Sequence, residues 1–135
     1  MDYPHEPVHY GGVMAKKHSP RFLAIVEAAR SEIGECNAAE LVGLVEAGAV
    51  VIDVREQHEF AAGHFSGALH IGKGVIERDI EKHDFVETDK LILYCGGGFR
   101  SAIAAKSLQD MGYTDVISLW GGWRGILAEG LETTK

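Results

Sequence analysis

Leu91-Ile92-Leu93-Tyr94-Cys95-Gly96-Gly97-Gly98-Phe99-Arg100-Ser101 is the stretch on which the reading of this chain turns. Lys90 to Tyr94 is an apolar run, too short for a helix and suited to a strand buried on both faces. A helix is expected from Arg100 to Met111, with Ile103, Ala104 and Leu108 inward and Gly112 ending it. Between strand and helix stand one cysteine and three consecutive glycines. In open α/β sheets, ligands bind outside the carboxyl ends of the strands. A glycine run there lets the backbone curl with its N–H groups inward, and such a nest, backed by a helix N-terminus, favours an anion. The anion is either external or the sulfur of Cys95 itself. The helix dipole and Arg100 favour thiolate over thiol, and thiolate is the nucleophile.

Working outward, Ala49 to Val54 is a second buried strand and Asp115 to Leu119 a third, with Ala68 to Ile71 a weak fourth. Helices are expected at Glu56 to Ala62, stopped by Gly63, at Val75 to His83, and near Arg124 to Glu129 after the turn Trp120-Gly121-Gly122-Trp123. Asn37-Ala38-Ala39-Glu40 reads as a capping box ahead of Leu41, Leu44 and Val45. Ser19 and Pro20 read as cap and first residue of a helix over 19–34, with Gly34 as its stop. Strands alternating with helices imply parallel βαβ units, hence a small parallel β-sheet flanked by helices on both faces. Residues 1–18 lack periodicity and are expected as a flexible tail, leaving 19–135 as one domain to which helix 19–34 is an N-terminal addition. Met14 is a second candidate start.

The whole chain agrees with a compact soluble domain. It has 135 residues, 46% hydrophobic and 24% charged, the composition of a globular protein. With 13 basic against 20 acidic residues and a net charge of −7, it lacks the basic stripe of a nucleic-acid surface. No apolar run reaches the roughly 18–20 residues of a membrane span, and the N-terminus has no signal-peptide core, so the expectation is cytoplasmic. Two cysteines, Cys36 and Cys95, make no disulfide framework.

Cys95 to Ser101 fits the C-x-x-G-x-R-S loop of the rhodanese-like sulfurtransferases, and the chain resembles that family from about residue 36 onward. Asp53-Val54-Arg55-Glu56 is similar to the family's D-x-R-E strand ending. Glu59 to Ala68 resembles its E-(F/Y)-x-x-G-H-I-x-G-A segment, with Phe65 in place of Ile. Trp120 to Trp123 resembles its terminal G-G turn. The resemblance implies a rhodanese-like fold and sulfur transfer through a Cys95 persulfide, from thiosulfate or a persulfide to cyanide or a thiol. It implies Gly96, Gly97, Gly98, Phe99 and Ser101 as the cradle, Arg100 as support for the anion, and Asp53 and Arg55 as scaffold. No cofactor, metal, nucleic acid or membrane is implied. The partners would be a small-molecule or protein persulfide and a thiol acceptor, and the chain a monomer or weak dimer.

Two other readings stand beside this one. Cell-cycle-type phosphatases and some arsenate reductases share the fold class but place five residues between cysteine and arginine. Four stand here, Gly96 to Phe99, a smaller ring suited to one sulfur. Related modules without the cysteine serve only in binding or regulation. The loop itself carries no basic side chain before Arg100, which with the acidic balance points to a persulfide rather than thiosulfate as natural donor. Glu59 and His64 read as structural, the series His58, His64, His70 fits no zinc spacing, Cys36 reads as a bystander, and Trp120 and Trp123 as core and rim of the pocket.

Overall fold

The structure is a computed structural model that describes residues 9–10, 13–14 and 18–135. Among these, strands β1 (His9–Tyr10) and β2 (Val13–Met14) form an antiparallel hairpin. Next come α1 (Pro20–Arg30), β3 (Gly34–Cys36), α2 (Ala38–Glu46), β4 (Val50–Asp53), α3 (Gln57–Ala62), β5 (His64–Phe65) and β6 (Leu69–His70). A 3₁₀ turn leads to α4 (Ile76–Asp79), then β7 (Leu91–Tyr94), α5 (Phe99–Asp110), β8 (Val116–Leu119), α6 (Gly122–Glu129) and β9 (Thr133–Thr134). The rest of the expected flexible tail lies outside the described residues.

The main sheet has the order β3-β8-β7-β4-β6, and every pairing in it is parallel. The alternation of strand side chains divides the core in two. In β7, Leu91 and Leu93 join Ile52, Ile76, Ile80, Ala104 and Leu108 on the face covered by α4 and α5. Ile92 and Tyr94 join Leu41, Val51, Leu119 and Ile126 on the face covered by α2 and α6. Helices thus cover both faces, as the fully apolar strands require. From β4 the chain crosses to β6 on one side, and from β7 to β8 on the other. The carboxyl ends of β4 and β7 therefore flank the switch point where such sheets bind ligands.

Four local expectations are corrected. The first helix stops at Arg30, and Gly34 belongs to strand β3, paired in parallel with Ile117. A Cβ there would lie 2.9 Å from Ile117 Cγ2, so Gly34 serves close strand approach rather than helix termination. Three residues carry too little pattern to announce a strand. Ser19 occupies the cap position of α1 but its hydroxyl makes no cap bond. Residues 75–83 are not one helix: α4 is a single turn between 3₁₀ turns, although Ile76 and Ile80 are both fully buried. Lastly, His9–Tyr10 and Val13–Met14 pair with each other and lie against α6.

The added helix packs within its own chain. Val26 and Ala29 of α1 are buried against Phe99 and Ala102 of α5, with Phe22, Leu23 and Trp120 at the margin. The capping box of α2 is complete, Asn37 accepting from the Glu40 N–H and Glu40 from the Asn37 N–H. No helix among the described residues is long and apolar enough to cross a membrane.

Candidate active site

Cys95 comes directly after β7 and is 1% exposed, its sulfur at the floor of a cleft. The sulfur accepts N–H bonds from Gly98 at 3.2 Å and Ser101 at 3.3 Å, and lies 3.5 Å from the Ser101 hydroxyl. That hydroxyl is 2.8 Å from the Ser118 hydroxyl, and both serines are fully buried. Donors from the first turn of α5 thus converge on one atom, an arrangement that stabilises negative charge on it.

The N–H groups can face inward because the loop's carbonyls are used elsewhere. Gly121 N–H donates to Gly97, Trp123 N–H to Cys95 at 2.7 Å, and Arg124 N–H to Gly96 at 3.1 Å. The first turn of α6 therefore satisfies its own free donors with the outer rim of the loop. This contact demands glycine at 122. Its φ is +49° and a Cβ would collide with the Cys95 carbonyl oxygen. A Cβ on Gly98, at φ +109°, would likewise lie 3.0 Å from Trp120 Cε3. The Trp-Gly-Gly-Trp turn and the glycine loop are two halves of one interlock.

Asp53 and Arg55 lie under the site as a buried pair, 0% and 3% exposed. Arg55 Nη2 donates to Asp53 Oδ2 at 2.8 Å and to the Gly63 carbonyl at 2.7 Å, and Nε bonds both carboxylate oxygens at 3.1 Å. The guanidinium stacks over Trp123 at 4.7 Å. Charge burial is tolerated because the pair satisfies itself and a carbonyl. The pair ties the end of β4 to α3 and to the pocket rim.

Glu59 does more than its expected structural duty. Arg100 Nη1 meets Glu59 Oε1 at 2.9 Å and Nη2 meets Oε2 at 3.3 Å. The Arg100 guanidinium holds the Glu59 carboxyl down to about 2, with the Glu56 N–H assisting. Arg100 is raised in turn, first by this bond and then by the Cys95 sulfur beside it. The E-F-A-A-G-H stretch signalled this residue, but only the fold brings it to a partner 41 positions away.

Residues that no loop motif names complete the cleft, which has a volume of about 570 Å³. His18 and Phe22, from the N-terminal addition, wall one side together with Phe99. The His18 ring lies 4.4 Å from Phe99 and 5.1 Å from Phe22. Trp123 is at the rim and Arg124 reaches in from α6. Sequence reasoning missed both the aromatic wall and Arg124, because α1 lies outside the loop motif and a lone arginine after a turn carries no pattern.

The histidine series forms no metal-holding cluster among the described residues, although His64 and His70 both stack on Phe60. His64 Nδ1 is 2.8 Å from the Phe60 carbonyl and its ring stacks on Phe60, while His70 Nε2 is 2.7 Å from the Arg55 carbonyl. Cys36 ends β3 on the far edge of the sheet, and burial pushes its thiol up to about 11. A second cleft of about 530 Å³, near Phe85 and Tyr113, is lined by no cysteine or arginine.

The chain is similar to known proteins in sequence and in fold. The model of the family described as rhodanese-like domain matches residues 37–129. The thiosulfate sulfurtransferase GlpE of Stutzerimonas stutzeri is 40% identical over 81 residues, which cover 58% of this chain and 72% of that protein. The GlpE of Pseudomonas fluorescens is 40% identical over 88 residues, covering 60% and 75%. Among solved structures, a Rhodopseudomonas palustris protein described as a possible tyrosine phosphatase is similar with a TM-score of 0.74 at 27% identity, covering 90% of this chain and all of that one. The human single-domain sulfurtransferase is similar with a TM-score of 0.63 at 27% identity, covering 69% and 94%.

Proposed function

The chain belongs to the rhodanese-like domain family, and from that premise we propose that it is a sulfurtransferase working through a persulfide on Cys95. The observation that carries this is the convergence of the Gly98 and Ser101 N–H groups on the Cys95 sulfur, at 3.2 and 3.3 Å. In the first half-reaction the Cys95 thiolate attacks the sulfane sulfur of the donor. A new S–S bond forms and the old one breaks, its electron pair leaving with the donor. With thiosulfate the leaving group is sulfite, and the outer sulfur stays on Cys95 as an anionic persulfide. In the second half-reaction cyanide or a thiol attacks that outer sulfur, and the Cys95 thiolate departs with its electron pair. No oxidant or cofactor enters either step.

The chain's own groups have distinct tasks in this cycle. The loop N–H groups stabilise charge on sulfur without reorganising as it moves outward. Arg100, oriented by Glu59, supports the same charge. Asp53 and Arg55 fix the pocket floor. In this reading persulfides of small thiols or proteins are further donors, and thiols are acceptors for the outer sulfur.

The ring of four residues between Cys95 and Arg100 supports sulfur rather than phosphoryl transfer, since one sulfur fills the space that three phosphoryl oxygens would need. The test is a paired assay. Purified protein given thiosulfate and cyanide forms thiocyanate, and given an aryl phosphate releases no phosphate. Phosphate release without thiocyanate would overturn the proposal. A chain that does neither, and gains no sulfur, would be a binding module.

A further inference from the structure

Among the described residues three guanidiniums line the cleft over Cys95: Arg55, Arg100 and Arg124. Two are already balanced by carboxylates, Arg55 by Asp53 at 2.8 Å and Arg100 by Glu59 at 2.9 Å. No carboxylate among the described residues forms an ion pair with Arg124. Arg124 is therefore, among the described residues, the cleft guanidinium left without a carboxylate partner, although the chain as a whole is at −7.

That charge has a definite place. Arg124 Nη1 lies 3.1 Å and Arg100 Nη2 lies 3.3 Å from the point where a Cβ on Gly96 would stand. Two like charges thus point at the same small volume above the loop, an arrangement an anion placed between them would relieve. Gly96 keeps this volume open. Unlike Gly98, it does not have a positive φ, so its backbone admits alanine, and what a methyl would meet is the two guanidinium ends. The glycine here preserves space rather than a turn.

We propose that Arg124 binds the oxyanion end of the sulfur donor, with Arg100 on its other side, and so selects anionic donors of the thiosulfate type. This rests on the sulfurtransferase reading of the same cleft. The planar guanidinium suits an oxyanion through paired N–H···O bonds. With its oxyanion above Gly96, thiosulfate directs its sulfane sulfur to the thiolate below, and sulfite leaves into the space between the two arginines. The absence of a basic side chain before Arg100 in the loop, which favours a persulfide donor on sequence grounds, is thus compensated from α6.

Binding tests this apart from turnover. In full-length Cys95→Ser protein, which cannot be loaded, thiosulfate is titrated by calorimetry with and without Arg124→Gln. The expected result is at least about tenfold weaker binding in the double variant, equivalent to about 1.4 kcal/mol, with Arg124→Lys recovering part of it. In the active protein the KM for thiosulfate rises by a similar factor in Arg124→Gln, more than kcat falls, and Gly96→Ala moves in the same direction with an unchanged melting temperature. Equal affinity with and without Arg124, or no thiosulfate binding to the Cys95→Ser protein, would overturn the proposal. Failure of the sulfurtransferase reading shows separately, as wild-type protein that binds thiosulfate yet never gains a sulfur.

Discussion

The two cysteines of this chain occupy matching places in the fold. Cys36 ends β3 and Cys95 comes directly after β7, each at the carboxyl end of a parallel strand, each buried, and each just ahead of a helix. Their downstream neighbours differ. After Cys36 come Asn37, Ala38, Ala39 and Glu40, whose capping box closes locally and sets a carboxylate near the thiol. The local side chains, Asn37 and Glu40, use the donors at that helix start, and burial with Glu40 pushes the Cys36 thiol up. After Cys95 come three glycines and, one residue on, an arginine, and the donors at the start of α5 are left for the sulfur itself. The two buried thiols thus differ in what takes the first N–H groups of the following helix: local side chains after Cys36, the sulfur itself after Cys95.

The second difference is reach. The surroundings of Cys36 are mostly local, whereas the Cys95 loop is held from α3 by Glu59 and from α6 by its first-turn N–H groups, with the buried Asp53–Arg55 pair at the end of the neighbouring strand β4. The largest effect that separates the two sites is therefore loss of the nucleophile. Cys95→Ser should lower thiosulfate:cyanide transfer by at least about 10³-fold, read as thiocyanate formed. Next in size is the distant support. Asp53→Ala leaves Arg55 buried without its partner and should destabilise the domain by about 3–5 kcal/mol, read by urea unfolding.

Glu59→Gln tests orientation of Arg100 with less loss of stability. Transfer should fall about tenfold, the loss of one charge-assisted contact, while stability changes by no more than about 1 kcal/mol because the pair is partly exposed. The pH dependence carries the sign. Glu59 is held down to about 2 when folded, against about 4.3 in an unfolded chain. Its stabilising effect is complete above the unfolded value and fades as pH falls through the folded one. The stability gap between wild type and Glu59→Gln should therefore close in acid.

The smallest effect falls on the other cysteine. Cys36→Ser should leave transfer within about twofold, since a substitution away from the reacting atoms removes no transition-state contact. In Cys95→Ser protein, alkylation of Cys36 should be slow at neutral pH and rise toward the alkaline value of about 11. A Cys36 that reacts as fast as Cys95 would break the comparison.

Much of this was legible in the residues. The buried strands Val50–Asp53 and Leu91–Tyr94 announce themselves by apolar β-branched and aromatic runs, and α5 by its glycine boundaries and inward apolar stripe. The loop from Cys95 to Ser101 stood out as the candidate site because strand end, thiol, glycines and arginine lie within seven residues of one another. Strand β3 did not, since Gly34-Glu35-Cys36 exists only by pairing with Ile117 to Leu119. Glu59 as partner of Arg100, and Arg124 above Gly96, depend on contacts between segments far apart in sequence, which local patterns do not encode. The acidic net charge also misleads at close range, because charge averaged over the chain says nothing of a cleft lined by three guanidiniums.

Whole-protein mass spectrometry after treatment with thiosulfate, comparing wild type, Cys36→Ser and Cys95→Ser, tests the central claim most directly. Wild type and Cys36→Ser should each gain the mass of one sulfur and lose it on addition of cyanide, while Cys95→Ser gains none. A sulfur adduct that persists in Cys95→Ser, or no adduct in wild type, would contradict it.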